Sequence, residues 1–180
     1  MGTDVPRPQM AVSAIANDGW LMRPLLVSRL VDENGEVVFQ AEPEKIRQVI
    51  SEATAKQMIT ALKAVVSPDG TAVKAKLDYY TVAGKTGTAQ KAIAGGYSHD
   101  KFFSSFIGFF PADAPELCIS VVFDEPSGGY YGGQVAAPVF KLIAERVASH
   151  LKIRPDTQPI AKSDSMARAN RVEPMRIANR

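Results

Sequence analysis

The residues best suited to chemistry stand together in Val82-Ala83-Gly84-Lys85-Thr86-Gly87-Thr88-Ala89-Gln90, where a short apolar lead-in runs into one permanent cation, two hydroxyls and intervening glycines. These types suit a strand whose edge meets an anion: charge and hydroxyls hold the ligand, and glycine leaves the backbone approachable. Lys85 and Thr86 point to opposite faces of an ideal strand. Both therefore serve one ligand only if it lies along the strand's edge and pairs with main-chain N–H and C=O groups as an added strand would. An extended peptide ending in a carboxylate has that shape and charge. Taken alone, the Lys-Thr-Gly triplet is equally an ordinary strand, with threonines suited to it and Lys85 as a solvated edge charge. The rest of the chain has to decide.

The other reactive side chains form no second centre. His99 and His150 are far apart in sequence, and the single cysteine, Cys118, completes neither a metal-ligand spacing nor an internal disulfide. Cys118 lies in the apolar run Leu117-Cys118-Ile119-Ser120-Val121-Val122, which reads as a buried, unreactive thiol. A formal net charge of +2 is too small to favour nucleic acid or an acidic membrane surface. With 180 residues, 46% hydrophobic and 22% charged, the chain suits one globular domain with a core. Composition points to no function.

Periodicity places the elements around the Lys85 strand. Pro8, Met10, Ala14 and Ile15 predict a short helix that Gly19 ends. Leu25 to Val31 and Glu36 to Gln40 flank Asn34-Gly35 and predict a small hairpin. Ser51 then precedes an apolar stripe of Ala55, Met58, Ile59, Leu62, Val65 and Val66, a capped helix packed on the core, Met58 included. Asp69-Gly70-Thr71-Ala72 breaks that helix. Beyond the Lys85 strand, residues 94–101 read as a polar, glycine-rich hairpin loop. Phe102 to Phe110 and Leu117 to Phe123 complete three consecutive antiparallel strands, and Ser127 to Gly133 is a loop. A long helix is expected from Val135 to about Leu151, with Val139, Leu142, Ile143, Val147 and Leu151 covering the sheet. The fold class is thus α+β, an antiparallel sheet covered by helices. From Arg154 onward the composition changes to six Lys or Arg against three Asp or Glu with no aromatic residue, and 154–180 is expected as an unstructured basic tail.

Several stretches carry a resemblance as a set: Gly70-Thr71-Ala72, the Lys85 run, Ser104-Ser105-Phe106-Ile107-Gly108-Phe109-Phe110-Pro111, Val121-Val122-Phe123-Asp124-Glu125-Pro126 and Tyr130-Tyr131-Gly132-Gly133-Gln134. Over roughly residues 1–156 the chain resembles the C-terminal half of a class B penicillin-binding protein, a division-type or elongation-type peptidoglycan D,D-transpeptidase. The resemblance implies a partial transpeptidase domain of the serine β-lactamase-like fold over residues 1–153. In that family a serine attacks the penultimate D-Ala carbonyl of a stem peptide, and a neighbouring chain's amine resolves the acyl-enzyme. The implied partners are the peptidoglycan stem peptide, β-lactams that mimic it, cell-wall synthesis proteins and the N-terminal part of the same domain. No cofactor or metal is implied.

Carried over residue by residue, Lys85 would lend positive potential to the pocket, while Thr86 and Thr88 would hydrogen-bond the terminal carboxylate. The backbone N–H of Thr88 would supply half of the oxyanion hole, and Gly87 would permit close approach. Tyr130, Tyr131 and Gly132 would border the acyl pocket. Two of the family's three motifs are missing. No Ser-x-Asn occurs, and the formal matches to Ser-x-x-Lys at Ser98, Ser149 and, with threonine, Thr60 do not stand at the start of a buried helix ahead of Lys-Thr-Gly. The chain is therefore expected to be an enzyme fragment, inactive alone; the alternative is a non-catalytic module that binds peptidoglycan peptides or a partner. The family is membrane-anchored and works outside the cytoplasmic membrane. No run of about 18 apolar residues and no signal peptide is visible in these residues, so that address is expected in a preceding segment.

Overall fold

A computed structural model describes residues 6–157. In chain order they form α1 (Pro6–Ala16), β1 (Trp20–Met22), β2 (Arg29–Val31), β3 (Val37–Gln40), β4 (Lys45–Gln48), α2 (Glu52–Ala64), a 3-10 turn (Val73–Ala75), β5 (Ala83–Ile93), β6 (Gly96–Phe110), β7 (Leu117–Asp124) and α3 (Gly132–Leu151). The aromatic and β-branched runs pair as one antiparallel sheet in the order β5-β6-β7, as expected.

Helices cover both faces of this sheet. Phe106 and Phe110 on β6 meet Phe140 of α3, with Phe106 and Phe140 edge-to-face at 4.8 Å, and all three rings are fully buried. Burial of each ring contributes on the order of 1.5–3 kcal/mol. On the opposite face Ala83 and Phe109 pack with Ile59 and Leu62 of α2 and with Val12 and Ile15 of α1. The Ser51 side chain caps α2 by accepting the Thr54 N–H at 3.1 Å.

Several expectations need correction. The polar segment 94–101 is not a loop: β5 runs to Ile93, β6 starts at Gly96, and Ala92 and Ile93 pair with Tyr97 and Gly96. Positive φ at Gly95 (87°) and Gly96 (155°) closes the turn in so few residues. Polar side chains over 97–101 mark a ladder that extends beyond the core, held at its base by Lys91, whose Nζ bonds Asp124 and Glu125 at 2.7 Å each. Those two carboxylates, Asp124 first, raise the Lys91 pKa above its ordinary value.

The long helix starts three residues early and presents a different face. Its buried residues are Gly132, Gly133, Ala136, Ala137, Phe140, Ala144 and Ala148, while Leu142 and Leu151 are 57% and 55% exposed. Most of the bulk comes from the sheet's phenylalanines, so apart from Phe140 the helix side of the contact is made of small residues. Met58 is not core: at 40% exposure it lines an open apolar groove of about 530 Å³ with Met10, Ile15, Leu21, Val49 and Ile50. The pairing of β1 with β4 was not foreseen, since three- and four-residue strands carry little pattern. The β2–β3 hairpin was, and the Asp32 carboxylate accepts the amides of Asn34 and Glu36 across its turn at 2.9 Å. All residues of β2 and β3 are exposed, and the hairpin packs on no other described element.

The described chain runs four residues beyond Ile153, to Thr157, and returns to the start of β5. The Asp156 carboxylate accepts the Thr81 N–H at 2.8 Å and the Thr81 hydroxyl, and the Thr81 hydroxyl oxygen accepts the Ala112 N–H at 2.8 Å. Residues 158–180, on which the rest of the expected tail falls, lie outside the described residues.

Cys118 on β7 is half-buried, and burial raises its thiol pKa above the ordinary value of 9.0. A raised pKa leaves less thiolate at any pH near neutrality. Alkylation at pH 8 is therefore expected to be several-fold slower in the folded chain than in urea; equal rates would contradict it.

The outer edge of β5 has no strand partner among the described residues. An 11-residue open edge is a template for pairing with another chain. The isolated chain is expected to form oligomers or to be poorly soluble, and a monodisperse, cooperatively melting monomer in ultracentrifugation and calorimetry would contradict this.

Candidate functional site

The Lys85 stretch is the N-terminal half of β5, and Lys85 itself is exposed. Its Nζ donates to the Thr86 carbonyl at 2.7 Å. That carbonyl is thus turned away from β6. In an antiparallel ladder a residue's N–H and C=O face the same neighbour and alternate along the strand. Gly84, Thr86 and Thr88 consequently present their main-chain groups to the open edge, and Lys85 and Gly87 pair with Ile107 and Ser105. The Thr88 N–H expected as an anion donor lies on that edge.

The side chains divide between the faces. Lys85 shares the side of Ala83, which packs against α1 and α2. Thr86 and Thr88 face the start of α3. The Thr88 hydroxyl oxygen accepts the Gly132 N–H at 3.2 Å, and the Thr86 hydroxyl lies 3.1 Å from that of Thr71. A Cβ at Gly132 would overlap the carbonyl oxygens of Ser105 and Gly87, and one at Gly133 would overlap that of Thr71. Only residues without a side chain let the helix start come this close to β5 and β6.

Tyr130 and Tyr131 stand beside this helix start. Phe102 and Tyr130 stack at 4.3 Å with an interplanar angle of 13°, Tyr130 and Tyr131 follow at 4.5 Å, and the two phenol oxygens are 3.3 Å apart. The bond to Tyr131 raises the Tyr130 pKa above its ordinary value. Ser104 is fully buried, and its hydroxyl donates to the Tyr130 carbonyl, tying the aromatic wall to the strand beside Thr88. Lys85, Thr86, Gly87, Thr88, Tyr130, Tyr131 and Gly132 are therefore all at or next to one sheet edge. The correction is to Gly132, which begins α3 and is not a loop residue. Sequence reasoning assigned no role to Thr71 or Ser104, and no spacing pattern marks either.

The formal Ser-x-x-Lys matches have other occupations. The Ser98 hydroxyl accepts the Asp100 and Lys101 amides and donates to the Asp100 carboxylate at 2.5 Å. Thr60 donates to the Lys56 carbonyl of its own helix, and Ser149 is exposed in the last turn of α3. Among the described residues no cluster of His, Cys, Asp or Glu could hold a metal ion.

An antiparallel sheet with helices on both faces and a Lys-Thr-Gly-Thr edge strand has the layout of the serine β-lactamase-like fold of transpeptidase domains. The family described as penicillin binding protein transpeptidase domain matches residues 9–145, and the chain belongs to that family. Stage V sporulation protein D of Bacillus subtilis is 41% identical over 154 residues, covering 84% of this chain and 24% of that protein. A probable peptidoglycan D,D-transpeptidase PenA of Neisseria meningitidis is 35% identical over 151 residues, 83% of this chain and 24% of its own length. Among solved structures, penicillin binding protein 3 from Mycobacterium tuberculosis complexed with ampicillin matches with a TM-score of 0.74 and 32% identity, over 84% of this chain and 35% of that one. The chain spans about a quarter of the length of these curated relatives.

The close approach at Gly132 makes a specific prediction. Gly132→Ala forces a methyl into two backbone carbonyls, and such overpacking is expected to lower unfolding stability by about 1–3 kcal/mol, read from the denaturant midpoint. An unchanged midpoint would mean that α3 does not hold this position in solution.

Proposed function

We propose that this chain forms the carboxylate-binding side of a peptidoglycan D,D-transpeptidase active site, and that residues outside these 180 supply the acylating serine. The observation that carries the reading is the open edge of β5, where Thr86 and Thr88 turn main-chain groups outward beside two hydroxyls and the Lys85 ammonium. A stem peptide laid along that edge pairs as an added strand. Its terminal carboxylate meets the Thr86 and Thr88 hydroxyls, and its scissile carbonyl oxygen meets the Thr88 N–H.

When a serine attacks that carbonyl, negative charge moves onto the oxygen. A preorganised N–H donor there is worth on the order of 3–4 kcal/mol in the transition state. The carbonyl re-forms as a serine ester and terminal D-Ala leaves, taking a proton to its new amine. The amine of a second stem peptide then attacks the ester, and the serine hydroxyl is regenerated as the cross-link forms. Lys85 adds positive potential throughout, and Tyr130 and Tyr131 wall the pocket. Similarity to relatives such as the peptidoglycan D,D-transpeptidase FtsI of Buchnera aphidicola supports this substrate class. Solved structures of relatives complexed with ampicillin and aztreonam support β-lactam binding at the complete site. Catalysis would take place outside the cytoplasmic membrane. Among the described residues no helix is long and apolar enough to cross a membrane.

Two measurements test the reading. Intact mass after incubation of the chain with penicillin is expected to be unshifted, and a stoichiometric adduct on Ser98 or Ser149 would overturn it. Joining this chain to an upstream segment bearing Ser-x-x-Lys and Ser-x-Asn is expected to restore labelling by a fluorescent penicillin. In that joined protein, Lys85→Ala is expected to remove most of the second-order acylation rate. Thr88→Ala is expected to be much milder, because alanine keeps the N–H. If Lys85→Ala acylates at the parental rate, the Lys-Thr-Gly-Thr stretch is an ordinary strand.

A further inference from the structure

Thr71, in the turn after α2, approaches the edge from behind. Its hydroxyl oxygen is 3.1 Å from that of Thr86, and its carbonyl lies under Gly133, whose absent Cβ would stand 3.5 Å from the Thr86 methyl. On the next outward-facing residue, Thr88, the Gly132 N–H bonds the hydroxyl oxygen at 3.2 Å. We infer that Thr71 is a positioning residue which, with the Gly132 amide, sets both edge hydroxyls as donors and so selects a terminal carboxylate over a terminal amide. The inference rests on the carboxylate-binding reading above and deepens it.

Hydrogen-bond direction carries it. An amide N–H only donates, so the Thr88 oxygen must accept from Gly132, and its own proton is left for whatever lies beyond the edge. Between Thr71 and Thr86 either hydroxyl can be the donor. An arriving carboxylate removes that freedom, because it has lone pairs and no proton. Thr86 then gives its proton to the ligand and accepts that of Thr71, and the chain runs from Thr71 through Thr86 to the carboxylate. Donors in series polarise one another, and the last bond is charge-assisted. The start of the 20-residue α3 adds positive potential behind the Gly132 amide. A terminal carboxamide gains less: one of its two polar atoms carries protons, which face two hydroxyls already committed to donating.

The test uses the chain as it is, with threonine methyls labelled for NMR, a probe that tolerates slow tumbling of oligomers. The ligands are an acetylated Lys-D-Ala-D-Ala peptide and its C-terminal amide. The parent is expected to prefer the acid. Thr71→Val keeps the side chain's outline without the hydroxyl and is expected to weaken acid binding by about 3–10-fold while leaving the amide unchanged; Thr71→Ser is expected to restore it. Independently of ligand, the Thr86 methyl shift, which reads its χ1 rotamer, is expected to be the same in the parent and in Thr71→Ser and to move toward an averaged value in Thr71→Val. Equal loss for acid and amide would reduce Thr71 to a structural role. An unmoved Thr86 shift in Thr71→Val overturns the positioning. A parent that binds acid and amide alike overturns the carboxylate reading instead, with the Thr86 shift still deciding whether Thr71 positions that hydroxyl.

Discussion

The closeness of α3 to the sheet is the constraint on which the other features rest. Gly132 and Gly133 lie against the backbone carbonyls of β5, β6 and the Thr71 turn, and Ala136, Ala137, Ala144 and Ala148 continue the contact over Phe106 and Phe110. Interiors at crystal-like density leave no slack, so a helix held at this distance fixes the position of every group at its first turn. The Gly132 amide reaches Thr88 for that reason, and the Tyr130–Tyr131 wall stands where the chain turns into the helix. Packing beneath the sheet thus becomes hydrogen-bond geometry at its edge.

The two faces of β5 have different duties. On the α1–α2 side, Ala83 is core and Lys85 emerges two residues later at the margin of that core. On the α3 side, Thr86 and Thr88 are held by a hydroxyl and an amide that belong to other elements. A strand's two-residue period makes this division unavoidable. Cation and hydroxyls can act on one ligand only at the edge where both faces end, and the same open main-chain groups that would pair with a peptide invite unwanted strand pairing.

How much of this was legible in the sequence follows from the range of the forces. The cap at Ser51, the turn at Asn34-Gly35 and the three-strand order are local or strongly patterned, and the structure has them. The face of α3 is not legible from periodicity, because large apolar residues mark the expected inward stripe and small ones form the real one. Leu142 and Leu151 are outside and alanines are inside, since the partner surface already carries the bulk. Residues 94–101 read as a polar loop, yet a ladder needs only backbone partners and a turn that permits it. The site's cation, threonines and tyrosines stood in the sequence as residue types. Thr71 stood only within the Gly70-Thr71-Ala72 stretch and had no role, because a bond between hydroxyls fifteen residues apart leaves no periodicity to find.

The bond from Thr81 to Asp156 joins residues seventy-five apart, at the approach to β5 and just past α3. A chain emerging from the ribosome N-terminus first makes the Lys85 strand before the residue that clamps its approach. Until residue 156 is free to return, the Lys-Thr-Gly-Thr segment lacks the anchor at its leading end and the helix start behind its threonines. In that interval its backbone donors are exposed without the positions that the clamp and the helix start give them. The geometry of the edge is complete only once that long-range contact has closed, and a nascent chain stalled short of that point carries the motif's residues without their arrangement.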